Sequence, residues 1–369
     1  MRQRLSLPAC LSLLFAVIAV AACSPEVAAP PLDGPLTTTS GRHDRGSIDG
    51  AGATFPAIIY QAWFYDYHHD VAPGVRINYQ AIGSGGGIQH FIEGDIDFGA
   101  TDAPMSDADL RRAPDTQHLP TVLGAVVLTY YLPAFTGPLR LDGSTVAAIY
   151  LGQVTAWNDP AIAALNPGAT LPSEPIRVVQ RSDGSGTSFV FTEWLSKVSP
   201  EWKTRVGAQK SPNWPVGVGG RGNDGLAQVV RQTPFAIGYA DFSYAEALKL
   251  PSAEVRNSSG AWIAPSLDSV SAAAAGVDLP PDYRGSITNP PGATAYPVSS
   301  FTFLLLHKDG PNCATTTVLL RMLWWAYHDP AALAETRALL YAPLPAPVLA
   351  RVEDTIHSFT CNGETLLPR

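Results

Sequence analysis

The chain is poor in the residue clusters that metal and hydrolytic chemistry require. Its 369 residues hold eight histidines and four cysteines, and they form no clustered Cys/His set. It carries no H-E-x-x-H motif, no P-loop and no internal repeat. The neighbours His68 and His69 read as a solvated helix end rather than a metal pair. Positive charge is scarce, with 24 Lys and Arg against 32 Asp and Glu and a net charge of −8. That balance argues against nucleic acid and against a basic membrane-binding face. It leaves room for an anionic ligand, because a site built from N–H dipoles and one arginine is local.

The only apolar stretch near the start, Leu11 to Ala22, is too short to cross a bilayer. It follows the basic Met1-Arg2-Gln3-Arg4 and ends in Val20-Ala21-Ala22-Cys23. This is the pattern of a secretory signal, expected over residues 1–22. The small residues running into Cys23 resemble a bacterial lipobox, in which the cysteine becomes the lipidated first residue. Removing residues 1–22 removes Arg2 and Arg4, leaving 22 basic against 32 acidic residues and a net charge of −10. Residues 23–47 are rich in Pro, Ala, Gly and Thr without apolar periodicity, so they are expected to be a flexible tether. Beyond Cys23 only Cys313 and Cys361 remain in the exported chain, and two such cysteines are expected to pair.

What is abundant is glycine placed between strand-like and helix-like runs. Ile176-Arg177-Val178-Val179 suits a buried strand. After it come Arg181, Asp183 and the turn Gly184-Ser185-Gly186-Thr187-Ser188, then the apolar run Phe189-Val190-Phe191. Cap-type residues ahead of an apolar run mark a helix start. Such a start directs unpaired N–H groups and the positive end of the dipole at one spot, which makes an anion site. Arg181 can fork two donors onto an oxyanion, and Asp183 can hold its guanidinium.

Two further segments repeat the design. Gly50-Ala51-Gly52-Ala53-Thr54-Phe55-Pro56 precedes helically spaced Ile59, Trp63 and Tyr67, with Thr54 the expected N-cap and Pro56 in the first turn. Val75 to Gln80 alternates as a strand and leads into Gly83-Ser84-Gly85-Gly86-Gly87, with Ser84 as cap and oxyanion donor. Ile96 to Pro104 reads as a short strand ending at Asp102, which either caps a helix beginning near Ser106 or has another role. Gly217 to Gly222 spells G-x-G-x-x-G, but Asn213-Trp214-Pro215 precedes it and no dinucleotide site is expected. Thr121 to Leu132 and Tyr296 to His307 are long apolar strands able to cross between two halves. Between them, Asn257 to Pro291 should be loops and a short helix. The βαβα rhythm indicates a two-domain α/β protein.

Taken together, these segments resemble the phosphate-binding protein of the bacterial high-affinity phosphate ABC transporter, over roughly Ile48 to Phe359. The carrying motifs are Gly50 to Pro56, Ile82 to Gly86, Asp97 to Pro104, Arg181 to Thr187 and Gly222 to Gly225. The resemblance implies a type II periplasmic-binding-protein clamshell, two α/β domains joined by crossing strands with the ligand in the interdomain cleft. One lobe would be residues 48–121 and 297–369, the other 122–296. It implies phosphate ligands at Thr54, Phe55 (through its backbone N–H), Ser84 and Asp102 on the first lobe. On the second lobe it implies Arg181, Ser185, Gly186 and Thr187, with Asp183 orienting Arg181. Family members often carry a second serine where Gly85 stands here, which leaves those expected ligands undisturbed. Asp102 would accept the proton that phosphate keeps near pH 7 and reject sulfate, which has none.

The implied protein is a lipid-anchored, exported monomer with no cofactor, no nucleic-acid partner and no catalytic role. It would feed an ABC permease, with arsenate as a competitor. Two other readings stand beside it. A phosphate-ester hydrolase would use Ser84 or Ser185 as nucleophile, but it would need a paired metal site or an adjacent base. His90, six residues past Ser84 on a helix, points elsewhere. A phosphate-sensing surface protein of the same fold would bind the anion without feeding a transporter.

Overall fold

The computed structural model describes residues 27–369 except Asp33, Pro311 and Pro368. The signal peptide and Cys23 lie outside the described residues. Eight strands form one mixed sheet: β1 (Arg45–Gly52), β2 (Gly74–Ala81), β3 (Phe98–Thr101), β4 (Thr116–Tyr131), β5 (Arg177–Arg181), β6 (Val218–Gly220), β7 (Ala236–Asp241) and β8 (Ser299–His307). Their order across the sheet is β2-β1-β3-β8-β4-β7-β5-β6. β1 runs parallel to β2 and β3, and β5 runs parallel to β6 and β7.

β4 joins the two halves. Its early residues pair antiparallel with β8, from Thr116 opposite His307 to Ala125 opposite Ser299. From Val126 to Tyr131 it pairs with β7 on its other edge. The sixteen-residue strand is buried from His118 to Tyr130, which explains its nearly unbroken apolar sequence. Helices pack beside each half, and the two halves form the lobes of a periplasmic-binding-protein clamshell. Trp63 lies in the core of the first lobe, and Trp157, Trp194 and Trp202 in that of the second. Among the described residues, no helix is long and apolar enough to cross a membrane.

Two expectations need correction. The stretch expected to be a flexible tether up to residue 47 is packed from Val27 onward. Ala28 and Arg45 exchange backbone hydrogen bonds of 2.8 and 3.0 Å. Arg321 donates to Pro30 O at 2.7 Å and forms a buried ion pair with Asp44. Leu36 is buried as well. Composition suggested disorder, but one buried charge pair and a two-residue bridge give the segment a docked path. Second, Thr54 does not cap the helix Ala57–Asp66. Pro56 occupies the cap position, and no side chain caps that helix. The G-x-G-x-x-G glycines, at which no dinucleotide site is expected, are partly strand: β6 is built from Val218-Gly219-Gly220 at the sheet edge.

Cys313 and Cys361 are joined, with their Cα atoms 5.4 Å apart. Cys313 opens the helix Cys313–His328, and Cys361 lies in a short hairpin after the last helix, Ala346–Ile356. The bridge therefore ties the C-terminal hairpin to the start of Cys313–His328. The Ser/Ala/Gly/Pro-rich segment holds the expected short helix, Leu267–Ala274. Its later part touches both lobes. Arg284 pairs with Asp107 at 2.8 Å, and Lys197 donates to Thr288 Oγ1 at 2.7 Å.

Candidate functional site

All six parallel-type strands end at one place, the interlobe crevice. Open α/β sheets bind ligands outside the carboxyl ends of their strands. β1 leads to Thr54, β2 to Ser84, β3 to Asp102, β5 to Arg181, β6 to Gly222 and β7 ends in Asp241. Helices start immediately after several of these ends. Ser84 is the first residue of Ser84–Glu93, behind Gly83 at φ 93°. Only glycine suits Gly83: a Cβ there would also lie 2.5 Å from Asp183 Oδ2 and 2.8 Å from Gly184 O. Ser185 caps Gly186–Val198, its hydroxyl accepting from Ser188 N at 3.0 Å. Gly222 opens Gly222–Gln232. Together these termini gather unpaired N–H groups and helix dipoles around one volume.

The cation comes from β5. Arg181 is buried, and its Nε and Nη2 donate to Asp183 Oδ1 and Oδ2 at 2.8 and 2.5 Å. Gly222 N also donates to Asp183 Oδ1, at 3.0 Å. Burial alone would raise the Asp183 carboxyl, but the Arg181 hydrogen bonds and charge outweigh it and hold it below its usual range. Arg181 Nη1 is buried and has no hydrogen-bond partner among the described residues. A guanidinium held on one edge with a free donor on the other is a preformed oxyanion clamp.

Facing this cation is a carboxylate. Asp102 is 2% exposed and accepts from Thr302 Oγ1 at 2.8 Å. Its backbone N–H donates to Ser84 Oγ at 3.2 Å, and Ser84 Oγ lies 3.5 Å from Asp102 Oδ2. Burial pushes Asp102 up to about 7, against the pull of Thr302, the Arg181 charge and Ser84. The helix Asp107–Arg112 is capped by Ser106, in a capping box with Asp109. Asp102 therefore does not cap that helix.

The two lobes meet across the crevice. Gly85 N donates to Gly184 O at 2.8 Å, joining two glycine turns backbone to backbone. Gly186 packs so tightly that a Cβ would lie 2.4 Å from Ser84 Oγ and 2.6 Å from Asp102 Oδ2. Thr54 and Thr187 both accept from the side-chain amide of Asn223. The peptides flanking Phe55 are held by two tyrosines: Tyr244 OH donates to Thr54 O at 2.7 Å and Tyr341 OH to Phe55 O at 2.6 Å. Thus Thr54, Phe55, Ser84, Asp102, Arg181, Asp183, Ser185, Gly186 and Thr187 all converge. His90 does not: it pairs with exposed Asp95 at 3.0 Å on the surface.

Residues 37–319 match the family model of the PBP superfamily domain. A phosphate-binding protein PstS of Pasteurella multocida is 43% identical over 310 residues, covering 83% of this chain and 89% of that relative. The chain belongs to the PstS family. A second PstS relative, from Haemophilus influenzae, is 40% identical over 316 residues, with 83% and 91% coverage. The fold also matches a high affinity periplasmic phosphate-binding protein bound with phosphate at pH 8.5, with a TM-score of 0.70 at 21% identity, over 84% of this chain and 93% of that one.

Sequence reasoning missed several groups at this PstS-family crevice. Asn223 lay within a recognised motif but was given no task; its position at a helix start behind a glycine was the available signal. Thr302 is a lone hydroxyl between Phe301 and Phe303 in an apolar strand. Asp241, at the end of β7, is buried and accepts from Ser243 N at 3.0 Å. Burial, reinforced by the charge of Asp102, moves Asp241 up to about 8, against hydrogen bonds from Tyr341 and Ser243.

Proposed function

We propose that the protein captures inorganic phosphate between its lobes and delivers it to an ABC-type importer. The observation that carries the reading is a buried carboxylate, Asp102, set opposite Arg181 in a wall of N–H and O–H donors. Such a wall suits an oxyanion, and the carboxylate suits one that still bears a proton. Phosphate near neutral pH meets both demands; sulfate meets only the first. The ligands are Thr54, the Phe55 N–H, Ser84, Asp102, Arg181, Ser185, Gly186 and Thr187, with Asp183 orienting Arg181. Arsenate shares phosphate's shape and protonation and competes.

Capture, not catalysis, is the favoured role. Ser185 Oγ is engaged as a helix cap, and the carboxyl nearest Ser84, that of Asp102, stands 3.5 Å from its hydroxyl and is already held by Thr302 Oγ1 at 2.8 Å. The lobe division at 48–121 with 297–369, and 122–296, is supported by β4 changing partners between Ala125 and Val126. The protein acts as a monomer; that it is exported and lipid-anchored at Cys23 rests on Val20-Ala21-Ala22-Cys23. An unmodified Cys23 in the mass spectrum of mature protein would refute the anchor.

The deciding experiment is calorimetric titration of ligand-free protein with phosphate and with sulfate at pH 7. Phosphate should bind tightly, and sulfate roughly 10⁴-fold more weakly. Equal affinity for the two anions would reject the reading.

A further inference from the structure

A threonine hydroxyl is ambivalent. It carries one proton and two lone pairs, and it can donate to a ligand or accept from one. An oxyanion site gains only from the donating state. The neighbours of Thr54 and Thr187 remove that ambiguity.

Asn223 is fully buried at the start of the helix Gly222–Gln232. Its Oδ1 accepts from Asp241 N at 2.9 Å. A backbone N–H can only donate, so the amide oxygen must face Asp241 and the NH2 must face the crevice. The two amide hydrogens then go to Thr54 Oγ1 at 2.8 Å and Thr187 Oγ1 at 3.0 Å. Thr54 Oγ1 also accepts from the Asn223 backbone N at 3.2 Å. Both lone pairs of Thr54 are therefore occupied, and its one remaining capacity is to donate. Thr187 has one lone pair occupied by the same amide.

The partners also come from different lobes. Thr54 follows β1 in the first lobe, while Asn223 and Thr187 follow β6 and β5 in the second. The Asn223–Thr187 contact lies within one lobe. The Asn223–Thr54 contacts span the crevice, so opening the lobes would break them. We infer that Asn223 is a positioning residue that, on lobe closure, converts Thr54 into an obligate donor and biases Thr187 the same way. Closure then does more than exclude water. It sets the donor count of the site, leaving Asp102 as the group that receives a ligand proton. A loosely seated, multiply protonated anion would find hydroxyls ready to accept only in the open arrangement.

This inference rests on the phosphate reading above, and a double-mutant cycle tests it. Phosphate affinity is measured by calorimetry for the parent, Asn223→Ala, Thr54→Val/Thr187→Val, and the triple variant, with a melting temperature for each. If Asn223 acts through the hydroxyls, Asn223→Ala weakens phosphate roughly 10- to 100-fold in the parent, as for lost hydrogen bonds to a charged group. In the background lacking the hydroxyls the same change costs less than about threefold, because its targets are gone. A merely structural Asn223 would give equal losses in both backgrounds, and that result overturns the inference while leaving phosphate binding intact. A parent that binds no phosphate overturns both. Should Asn223→Ala fail to fold, Asn223→Asp keeps the acceptor for Asp241 N and carries the same cycle. Its added charge costs affinity in both backgrounds, but the reversal of the hydroxyls costs it only where they are present.

Discussion

A carboxylate buried beside an anion repels it unless a proton lies between them. Once ionised, Asp102 meets that condition only with a protonated ligand, and Ser106 has already taken the capping role that Asp102 might otherwise fill. Asp102→Asn keeps the shape, removes the charge and offers an amide donor. Phosphate affinity should stay within about tenfold of the parent, since one hydrogen bond replaces another and a repulsion is relieved. Sulfate should gain about 100-fold or more, since it now meets a donor. Titrating both anions into both proteins checks this, and an unchanged phosphate-to-sulfate ratio would sink the proton-reading role. Asp102 itself was legible, because a lone acid closing the small-residue strand Phe98-Gly99-Ala100-Thr101 is conspicuous. Asn223 and Asp241 were not. Asn223 has its partner Thr54 169 residues away, and no local pattern announces a hydrogen bond over that distance.

At the scale of elements, the glycine turns were the readable part. Gly83 and Gly184 stand between a strand and a helix, and a chain that must curl and then start a helix writes glycine and serine there. Cap assignment was less secure. Thr54, Phe55 and Pro56 all stand before the same helix, and a distant partner drew the Thr54 hydroxyl away from it. The short helices Phe242–Ala247 and Pro330–Ala338 were not anticipated. Each is under three turns, too short for an apolar period to show, although Asp241 and the pair Asp329-Pro330 are legible starts in retrospect. The pairing of Cys313 with Cys361 was legible from the compartment and the count. Its loop spans 48 residues, and in the chain-entropy model such a bridge stabilises by about 4 kcal/mol at most. Replacing both cysteines with serine should therefore lower the melting temperature by several degrees. Phosphate affinity should not change, since the bridge lies outside the crevice. Calorimetric melts of the two proteins decide it, and identical transitions would show that the hairpin holds without the bridge.

Over the whole molecule, buried acids set the pH response. Asp102 rises to about 7 and Asp241 to about 8 on folding. In both, burial keeps a proton that the unfolded chain loses near pH 4. A raised acid makes unfolding release protons, so stability falls as pH climbs toward the folded value. His118 works against this at lower pH: burial drops it to about 4, so folding costs it a proton below about 6.5. The clean window is therefore pH 6.5 to 8, where His118 is neutral in both states. Ligand-free protein should melt at progressively lower temperature across that window, and Asp241→Asn should flatten the decline. A flat or rising melting temperature in the parent would contradict it.

The docked segment from Val27 to Asp44 has a mechanical consequence. A free leash from Cys23 to Ser47 could pay out roughly 80 Å of chain. With Ala28 bridged to Arg45 and Pro30 held by Arg321, Cys23 is separated from the docked chain at Val27 by four Cα-to-Cα steps, a reach of at most roughly 14 Å. The pinned point sits at the beginning of β1, eight residues of strand from Gly52 and the crevice. A lipid at Cys23 would thus moor the body close to the bilayer by the end opposite its mouth. Were Cys23 lipidated, delivery to a permease in the same membrane would call for the body to turn over or for its mooring at Asp44 and Arg321 to let go.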